Sequence, residues 1–425
     1  MLESFVGIPR RFLTTDEPGI GGRLKARPED FLVEELPLYE PCGSGEHLYL
    51  FIEKIERPTL SVIREIAKRL QVGVGSIGYA GMKDKVAVTR QLLSVHLPQG
   101  DPHRIAEELD IQGVRILWAQ RHRNKLRIGH LRGNRFSILI REVSVGEVTR
   151  VQRVLARLER SGVPNFIGEQ RFGFHRNNHE VGRLYLLQDW QGLCDLLLGP
   201  AEVGDDHAGE ARAAYARGDL DAAIKAWPSS GSTETRVLAS LTRGRSAQQA
   251  VHDVPEAALR FFISAFQSAI FNFILARRID EGRFERLIEG DVVGRTDDSH
   301  SLFRIGPEEL VDASVIRRFG ELVISPTGPL WGAEMMRAEG KIDSAELAAL
   351  EATGITLDHF NNAPIDVPGT RRSLRLGVRG SAVSAGSDDH GPFIRIDFEL
   401  PRGGFATTVL DEVMKSPQRD HPWGT

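Results

Sequence analysis

The first 170 residues combine strand-like and helix-like patterns of apolar residues. Residues 48–55 are rich in aliphatic and aromatic side chains and predict a strand, and Thr59 then opens a segment whose apolar residues recur at helical spacing. Partial alternation of apolar and polar residues predicts further strands at 125–131 and 136–141. Residues 151–158 predict a helix, so this part of the chain has a mixed α/β pattern.

The pattern changes over residues 181–352, where long helical segments predominate that are rich in alanine and partly acidic, such as 210–217 and 345–350. A strand returns near the end, because apolar residues at the even positions of 394–400 alternate with charged residues at the odd positions. We expect this strand to rejoin the sheet of the first part, which makes the helical region an insertion. Residues 380–391 are rich in Gly, Ser and Asp and predict a loop.

Composition limits the class of protein. A chain of 425 residues is long enough for two or three domains, and its formal charge of −4 gives no overall positive field, so a nucleic acid would have to be bound by a local patch. Cys42 and Cys194 are too few for a disulfide framework or a cysteine-ligated zinc site and fit a reduced, cytoplasmic compartment. The first 14 residues predict no secretory signal. The most apolar window, 261–276, is shorter than a bilayer span and predicts a buried helix.

A local basic patch lies between residues 115 and 135, which contain no acidic residue. Its members are Arg115, Arg121, Arg123, Lys125, Arg127, Arg132 and Arg135. Clustered cations of this kind bind nucleic-acid phosphates, because each neutralised phosphate releases counterions. The alternative is a solvated strand face, and the sequence leaves both interpretations open.

The sharpest feature is residues 78–91, which place Asp84 among Lys83, Lys85 and Arg90 in a segment with glycines at 78 and 81. The glycines permit tight backbone, and a carboxylate near cations stays ionised at neutral pH, as a nucleophile or an electrostatic stabiliser must. The alternative is a surface aspartate in a lysine-rich turn. The segment is not a Walker motif, because the order of glycines, lysine and hydroxyl residue is absent.

A third cluster, residues 164–173, combines an amide, two aromatic rings, an arginine and glycines. Such a set can hydrogen-bond a base edge and stack on its face, and it can equally be a strand end packed in a core. His175 and His179 are four residues apart and could share one helix face, but no third ligand accompanies them. We therefore expect no metal site.

Residues 78–91 closely resemble the catalytic motif of the TruD family of tRNA pseudouridine synthases, G-[YF]-A-G-x-K-D-[RK]-x-A-x-T-x-Q. The resemblance runs almost from end to end, in the order of the family's motifs. The other matching segments are 25–34, 45–49, 164–173, 267–272, 326–329 and 400–408. The long stretch between residues 174 and 264 resembles the fuller archaeal and eukaryotic branch of the family.

The resemblance implies an α/β (α+β) pseudouridine synthase catalytic domain with a mixed, mainly antiparallel sheet, interrupted by a largely helical TruD insertion domain. We expect the catalytic domain at 1–188 and 369–425 and the insertion at 189–368. The implied activity is isomerisation of uridine, typically uridine 13 in the tRNA D arm, without metal or cofactor. The implied partner is tRNA, with no membrane and no obligate protein partner, in the cytoplasm.

Carried over residue by residue, the resemblance makes Asp84 the catalytic aspartate and Asn165 the asparagine of the family's N-[YF]-F-G motif. Lys25 matches a lysine that lies near the aspartate, and Ile167 stands where the family has the phenylalanine that packs against the target base. The full set expected to bind substrate is Lys25, Lys83, Arg90, Arg121, Arg123, Arg127, Asn165, Phe166 and Ile167.

Two rival functions stay open at this stage. Ile167 could mark a weakly catalytic or non-catalytic protein that binds or folds tRNA. A carboxylate-based glycoside hydrolase would need two acidic residues with distinct protonation roles, whereas the resemblance supplies one essential aspartate. Within the synthase interpretation, the carboxylate either attacks C1′ or removes the C2′ proton to give a glycal, and the sequence does not decide between them.

Overall fold

The computed structural model describes residues 11–83, 86–200, 208–228, 231–296 and 301–416. The chain forms two compact units. The sheet unit comprises Phe12–Pro164, Gly320–Val323 and Arg375–Thr425, and the helical unit comprises Met1–Arg11, Asn165–Phe319 and Ile324–Leu374. The division into units reflects only where the chain is compact. It does not test the expected domain boundaries at 188/189 and 368/369, which stay a prediction.

Strands occur in both units. In chain order they are β1 (Phe31–Pro37), β2 (His47–Ile55), β3 (Ile77–Tyr79), β4 (Val88–His96), β5 (Val114–His122), β6 (Leu131–Arg141), β7 (Val163–Pro164), β8 (Val292–Arg295), β9 (Leu302–Arg304), β10 (Ile324–Leu330), β11 (Thr370–Ser373), β12 (Arg375–Leu376), β13 (Arg379–Asp388) and β14 (Gly391–Pro401).

The helices are concentrated in the helical unit. In chain order the described α-helices are α1 (Thr59–Arg69), α2 (Pro102–Glu108), α3 (Val148–Ser161), α4 (Asn178–Leu186), α5 (Trp190–Leu198), α6 (Gly209–Ala216), α7 (Leu220–Ala226), α8 (Thr233–Thr242), α9 (Ala247–His252), α10 (Glu256–Asp280), α11 (Ala313–Gly320), α12 (Gly340–Glu351), α13 (Leu357–Asn361) and α14 (Ala406–Met414).

The sheet unit is built on an eight-stranded sheet with the order β13-β14-β6-β1-β4-β2-β5, and β3 pairs with β4. The β1–β4 pair is parallel, and the other pairs of this sheet are antiparallel. The expected C-terminal strand is confirmed: Ile394, Ile396 and Phe398 are buried on one face of β14, which pairs with β6. The mixed, mainly antiparallel sheet agrees with the expected fold class.

Helix α1 of the sheet unit covers part of one face of the sheet, because its apolar residues recur every three to four positions. Helix α1 buries Val62, Ile63 and Ile66 against Leu50 and Leu93 of the central strands. This helix begins at Thr59 as predicted. The predicted strand at 48–55 and the predicted helix at 151–158 are likewise present, within β2 and α3.

The helical unit packs its helices around α10, whose 25 residues are longer than the apolar window that predicted it. By length and composition α10 could cross a membrane. Just over half (56%) of its most apolar window is buried inside the protein, as is usual for a core helix. A small four-stranded sheet, β11-β10-β8-β9, accompanies the helices, and the sequence pattern did not reveal it.

Two local predictions are wrong. Residues 125–130 form a loop before β6, because Gly129 adopts a positive φ (86°) and its N–H donates to the carbonyl of Ala80. The strand in this region is β5, whose alternation is obscured by a register shift against β2. Most of the predicted loop at 380–391 is the edge strand β13, which pairs on one side only and is mostly exposed, so it needs few apolar residues.

Candidate active site

The backbone before the predicted catalytic aspartate lies against the loop that precedes β6. A Cβ at Gly78 would come within 2.1 Å of the carbonyl oxygen of Leu126 and 2.7 Å of Ser94 Oγ, so only glycine fits there. At Gly81 a Cβ would meet nothing within 4 Å, so the expected need for tight backbone holds for Gly78 and not for Gly81. Asp84 and Lys85 lie outside the described residues.

Lys83, directly before Asp84 in the chain, is held by a buried polar network in the sheet unit. Its Nζ lies 3.1 Å from Glu35 Oε2 and donates to Asn134 Oδ1 at 2.6 Å. The Lys83 and Glu35 side chains are 6% and 0% exposed. Glu35 and Asn134 are opposite each other across the β1–β6 pair, so the sheet register positions both partners of the ammonium.

The main chain of Lys83 is fixed as well. Its N–H donates to Thr59 Oγ1 at 3.2 Å, and that hydroxyl donates to Gln91 Oε1 at 3.0 Å. Thr59 is the first residue of α1, and Gln91 lies in β4. The residue before Asp84 is therefore anchored at both its backbone and its side chain.

Burial of Glu35 has an electrostatic consequence. Desolvation raises the pKa of this carboxyl above its usual range, and the charge of Lys83 and the N–H of Leu92 oppose that rise. The backbone N–H of Leu92 donates to Glu35 Oε1 at 3.3 Å. The Lys83 side chain is itself buried, and the carboxylate of Glu35 balances its positive charge. Glu35 was not among the site residues predicted from the sequence.

Arg90 lies on the opposite face of the sheet from this network, because Glu34, which it contacts, is adjacent to Glu35 in β1 and adjacent strand residues face opposite ways. Arg90 Nη1 lies 2.9 Å from Glu34 and its Nε lies 2.9 Å from Glu53. These hydrogen bonds raise its pKa. Lys83 and Arg90 thus lie on opposite faces and each has its own carboxylate partner. That they surround Asp84 with positive charge stays a prediction, since Asp84 is outside the described residues.

The contacts of Arg90 belong to a ladder of alternating charges across six neighbouring strands. Its successive ion pairs, each between directly opposite residues, join Arg115, Glu53, Arg90, Glu34, Arg135 and Glu399. The sequence could not reveal the ladder, because its members become neighbours only through the strand order.

Lys25 has a left-handed backbone conformation (φ 51°), and its ammonium lies 4.3 Å from the centre of the Phe31 ring. Phe31 is the first residue of β1, the strand that also carries Glu35. The expected proximity of Lys25 to Asp84 stays a prediction, since Asp84 is outside the described residues.

Some cations of the basic patch have hydrogen-bond or ion-pair partners among the described residues, and others have no ion pair there. Arg121 donates to the carbonyls of Leu97, Gln99 and Gly100 and so holds the loop after β4. Arg123 and Arg127 are exposed, and within the described residues neither has an ion pair. These two are the members best placed to meet a phosphate.

The remaining members of the patch have partners. Lys125 donates to the carbonyl of Gly75, and Arg132 lies 4.0 Å from Glu399. Arg115 and Arg135 belong to the charge ladder. The patch is thus partly a solvated strand face and partly a source of free positive charge.

In the helical unit, Asn165 is buried and both ends of its amide are bonded. Its Nδ2 donates to the carbonyl of Ser373 at 2.7 Å, and its Oδ1 accepts from Arg372 Nη2 at 2.6 Å. Its backbone N–H donates to the carbonyl of Leu374 at 3.0 Å. The strand β11 and the residue after it therefore fix Asn165, and Arg372 is a site residue that the sequence analysis missed.

Phe166 and Ile167 are partly buried and lie in a segment without regular structure. The side-chain amide of Asn272 clamps Ile167 at both backbone groups: Asn272 Oδ1 accepts from the Ile167 N–H at 2.8 Å, and Asn272 Nδ2 donates to the Ile167 carbonyl at 2.9 Å. These bonds join two of the segments that resemble the family's motifs, 164–173 and 267–272.

His175 and His179 do not share a helix face, because α4 begins at Asn178 and His175 precedes it. His175 Nε2 lies 3.2 Å from Arg212 Nη2, and burial lowers the pKa of His179. Among the residues that the structure describes, no group of three His, Cys, Asp or Glu side chains could hold a metal ion.

Comparison with known proteins decides the family. Residues 7–413 match the family model described as tRNA pseudouridine synthase D (TruD). The chain belongs to the TruD family. A relative named tRNA pseudouridine synthase D from Geobacter sulfurreducens is 42% identical over 410 residues, covering 96% of this chain and 97% of the relative. A second, from Syntrophotalea carbinolica, is 39% identical, covering 95% and 99%.

The TruD fold is also shown by a solved structure. The crystal structure described as tRNA pseudouridine synthase D (TruD) from Methanosarcina mazei is similar with a TM-score of 0.84 and 28% identity, covering 97% of each chain. The TruD resemblance read from the motifs is therefore confirmed, as is the mixed α/β fold with a mainly antiparallel sheet.

Proposed function

We propose that this protein isomerises uridine 13 in the D arm of tRNA, with Asp84 as its one essential carboxylate and no cofactor. As a TruD family member the chain is a tRNA pseudouridine synthase, an isomerase. The observation that carries the finer proposal is the match of residues 78–91, with Asp84 at the aspartate position, inside a family match that spans residues 7–413.

The reaction defines what the site must do. The N1–C1′ bond of uridine breaks, the detached uracil rotates, C5 bonds to C1′ and the C5 proton leaves. The target base must first leave its stack, which costs a few kcal/mol and requires a pocket that holds a flipped base. One carboxylate is enough for the chemistry, whether it attacks C1′ or removes the C2′ proton.

Lys83, the residue before Asp84, is anchored at its side chain and its backbone. Glu35 and Asn134 hold the Lys83 ammonium, and Thr59 holds its N–H. Because a catalytic group must be held close to its working position, we propose that the anchoring of Lys83 serves to position Asp84. Lys83 acts in this proposal by positioning the backbone, with its charge balanced by Glu35.

The helical unit carries Asn165 and Ile167, the other motif residues of the proposal. Asn165 is bonded at both ends of its amide, and Asn272 holds the backbone of Ile167. We assign Ile167 as the apolar wall against the uracil, so that the detached base stays in place while it rotates. An aliphatic wall gives apolar contact without the stacking of an aromatic ring, worth about 1–3 kcal/mol per base.

The position is tested by mapping pseudouridines in total RNA from cells with and without this protein. The proposal expects loss of pseudouridine at tRNA position 13 alone. Loss at a different position would overturn the assignment of uridine 13, and no loss in any RNA would favour a protein that only binds tRNA. A cytoplasmic location and activity that survives chelators complete the proposal.

A further inference from the structure

Two arginines of the helical unit, Arg372 and Arg171, have no acidic partner among the described residues, and the charge of Arg171 acts on Arg372. Arg372 donates through Nη2 to Asn165 Oδ1 at 2.6 Å, and its Nε is buried without a hydrogen-bond partner. Arg171 donates through Nη1 to Ser264 Oγ at 3.1 Å. Because a buried N–H left unpaired costs free energy, the unmade bond at Arg372 needs an explanation.

Aromatic rings hold both guanidinium groups. The guanidinium carbon of Arg372 lies 5.7 Å from the centre of the Phe271 ring, and that of Arg171 lies 5.2 Å from the centre of the Phe261 ring. Gly328, opposite Arg372 in the β10–β11 pair, leaves room for the Phe271 ring, which a Cβ there would approach to 2.9 Å. The ring supports a fixed guanidinium and offers it no negative charge.

The electrostatics of Arg372 reflect this lack of an anion. Burial, and secondly the charge of Arg171, lower the pKa of Arg372 to about 10. The preceding residue in the chain shows the contrast: Arg371 is fully buried and makes two hydrogen bonds of 2.7 Å to the carboxylate of Glu346. The helical unit thus pairs Arg371 with an acid and leaves Arg372 and Arg171 with neutral partners.

We propose that Arg372 and Arg171 bind a phosphate group of the RNA backbone beside Asn165. A phosphodiester supplies the missing negative charge, and its oxygens accept the N–H donors that the protein leaves free. The inference rests on the proposed function only in taking the ligand to be RNA. It adds a binding role for two residues outside the set selected from the sequence.

Equilibrium tRNA binding tests the site without measuring turnover. Arg372→Gln and Arg171→Gln are expected to weaken tRNA binding about tenfold or more at low salt, because each removes charge-assisted hydrogen bonds. Each should also reduce the slope of log K against log salt by about 0.7–0.9, the contribution of one phosphate. Arg372→Lys should keep the slope and recover only part of the affinity, since lysine keeps the charge and loses the planar donor fork.

The matched control is Arg217→Gln, which removes an exposed arginine of the same unit and should leave the salt slope unchanged. Urea unfolding checks that each variant folds. If Arg372→Gln does not fold, Arg171→Gln still tests the site, because it leaves the bond between Arg372 and Asn165 intact. An unchanged slope in a folded Arg171→Gln variant would overturn the proposal.

Titration with inorganic phosphate distinguishes the sources of the anion. One result would overturn the assignment to the RNA backbone: the natural protein binds free phosphate, and Arg372→Gln abolishes that binding but leaves tRNA binding unchanged. Pseudouridine formation is measured separately. If the natural protein forms pseudouridine but the Arg372 and Arg171 variants keep the full salt slope, the proposed function stands and this inference is wrong. If the variants have reduced salt slopes but the natural protein forms no pseudouridine, this inference stands and the proposed function is wrong.

Discussion

Replacing the buried Glu35 by leucine is expected to destabilise the protein strongly, although Glu35 is absent from the motif that identifies the family. The substitution removes the carboxylate 3.1 Å from Lys83 Nζ and leaves that ammonium 6% exposed, with Asn134 as its one remaining bonded partner in the described residues. Breaking a buried ion pair on one side costs about 3–5 kcal/mol, because the remaining charge is uncompensated. We expect a loss of about 3 kcal/mol in the free energy of unfolding, since the Asn134 bond persists.

The double variant Glu35→Leu/Lys83→Met provides the matched control. With both charges removed, no unpaired ion remains, and replacing a whole buried pair by apolar side chains is often close to neutral. Urea unfolding at pH 7 should therefore show the double variant to be more stable than Glu35→Leu alone. A Glu35→Leu variant within about 1 kcal/mol of the natural protein would refute the reasoning.

The single variant Lys83→Met adds a pH test. Burial raises the folded-state pKa of Glu35 above its unfolded value, so the folded protein holds that proton more readily. The stability from this linkage is present below the unfolded pKa and is lost as pH rises through the folded pKa. Without Lys83 to oppose the rise, the stability deficit of Lys83→Met should grow as the pH rises from below the unfolded-state pKa of Glu35 through its raised folded-state pKa. A deficit independent of pH would contradict the assigned cause.

Three further predictions concern binding and turnover. Ile167→Phe should preserve or raise single-turnover activity and Ile167→Asp should abolish it, because the proposed wall must be apolar; equal activity in both variants would exclude Ile167 from the pocket. Asn272→Ala should cost about 1–3 kcal/mol in urea unfolding, because the N–H and carbonyl of Ile167 lose their bonded partner; an unchanged unfolding midpoint would show that the clamp is unimportant. Joint replacement of Arg123 and Arg127 by Gln should weaken tRNA binding and flatten its salt dependence. Arg121→Gln should mainly lower the stability of the loop that Arg121 holds. A flattened salt slope for Arg121→Gln with no loss of stability would show that Arg121 binds phosphate and does not hold the loop.

The sequence predicted the parts of the fold that have a clear period. Helix α1 was readable because its buried residues recur at helical spacing, and β14 because its burial alternates strictly. Strand β13 was not, since an exposed edge strand needs little apolar surface. Strand β5 was obscured by the shift in its register against β2.

The candidate site divides in a similar way. Residues next to one another in a motif, such as Lys83 and Asp84, could be selected from the sequence. Glu35 and Arg372 could not, because each meets its partner through pairing of distant strands or segments. Glu35 lies 48 residues before Lys83 in the chain, and only the alignment of β1 with β6 places Asn134 beside both. The family motif indicates the reaction, and the strand register brings together the residues that hold Lys83.

The central claim is that Asp84 carries the isomerisation, and release of tritium from C5-labelled uridine tests it most directly. Matched tRNA transcripts would be used, one with the natural uridine at position 13 and one with cytidine there. The account predicts release by the natural protein from the first transcript and none from the second. Asp84→Asn should abolish release while tRNA affinity stays nearly unchanged, since the amide keeps the shape and removes the anion. Release by Asp84→Asn at more than a trace of the natural rate would contradict the claim.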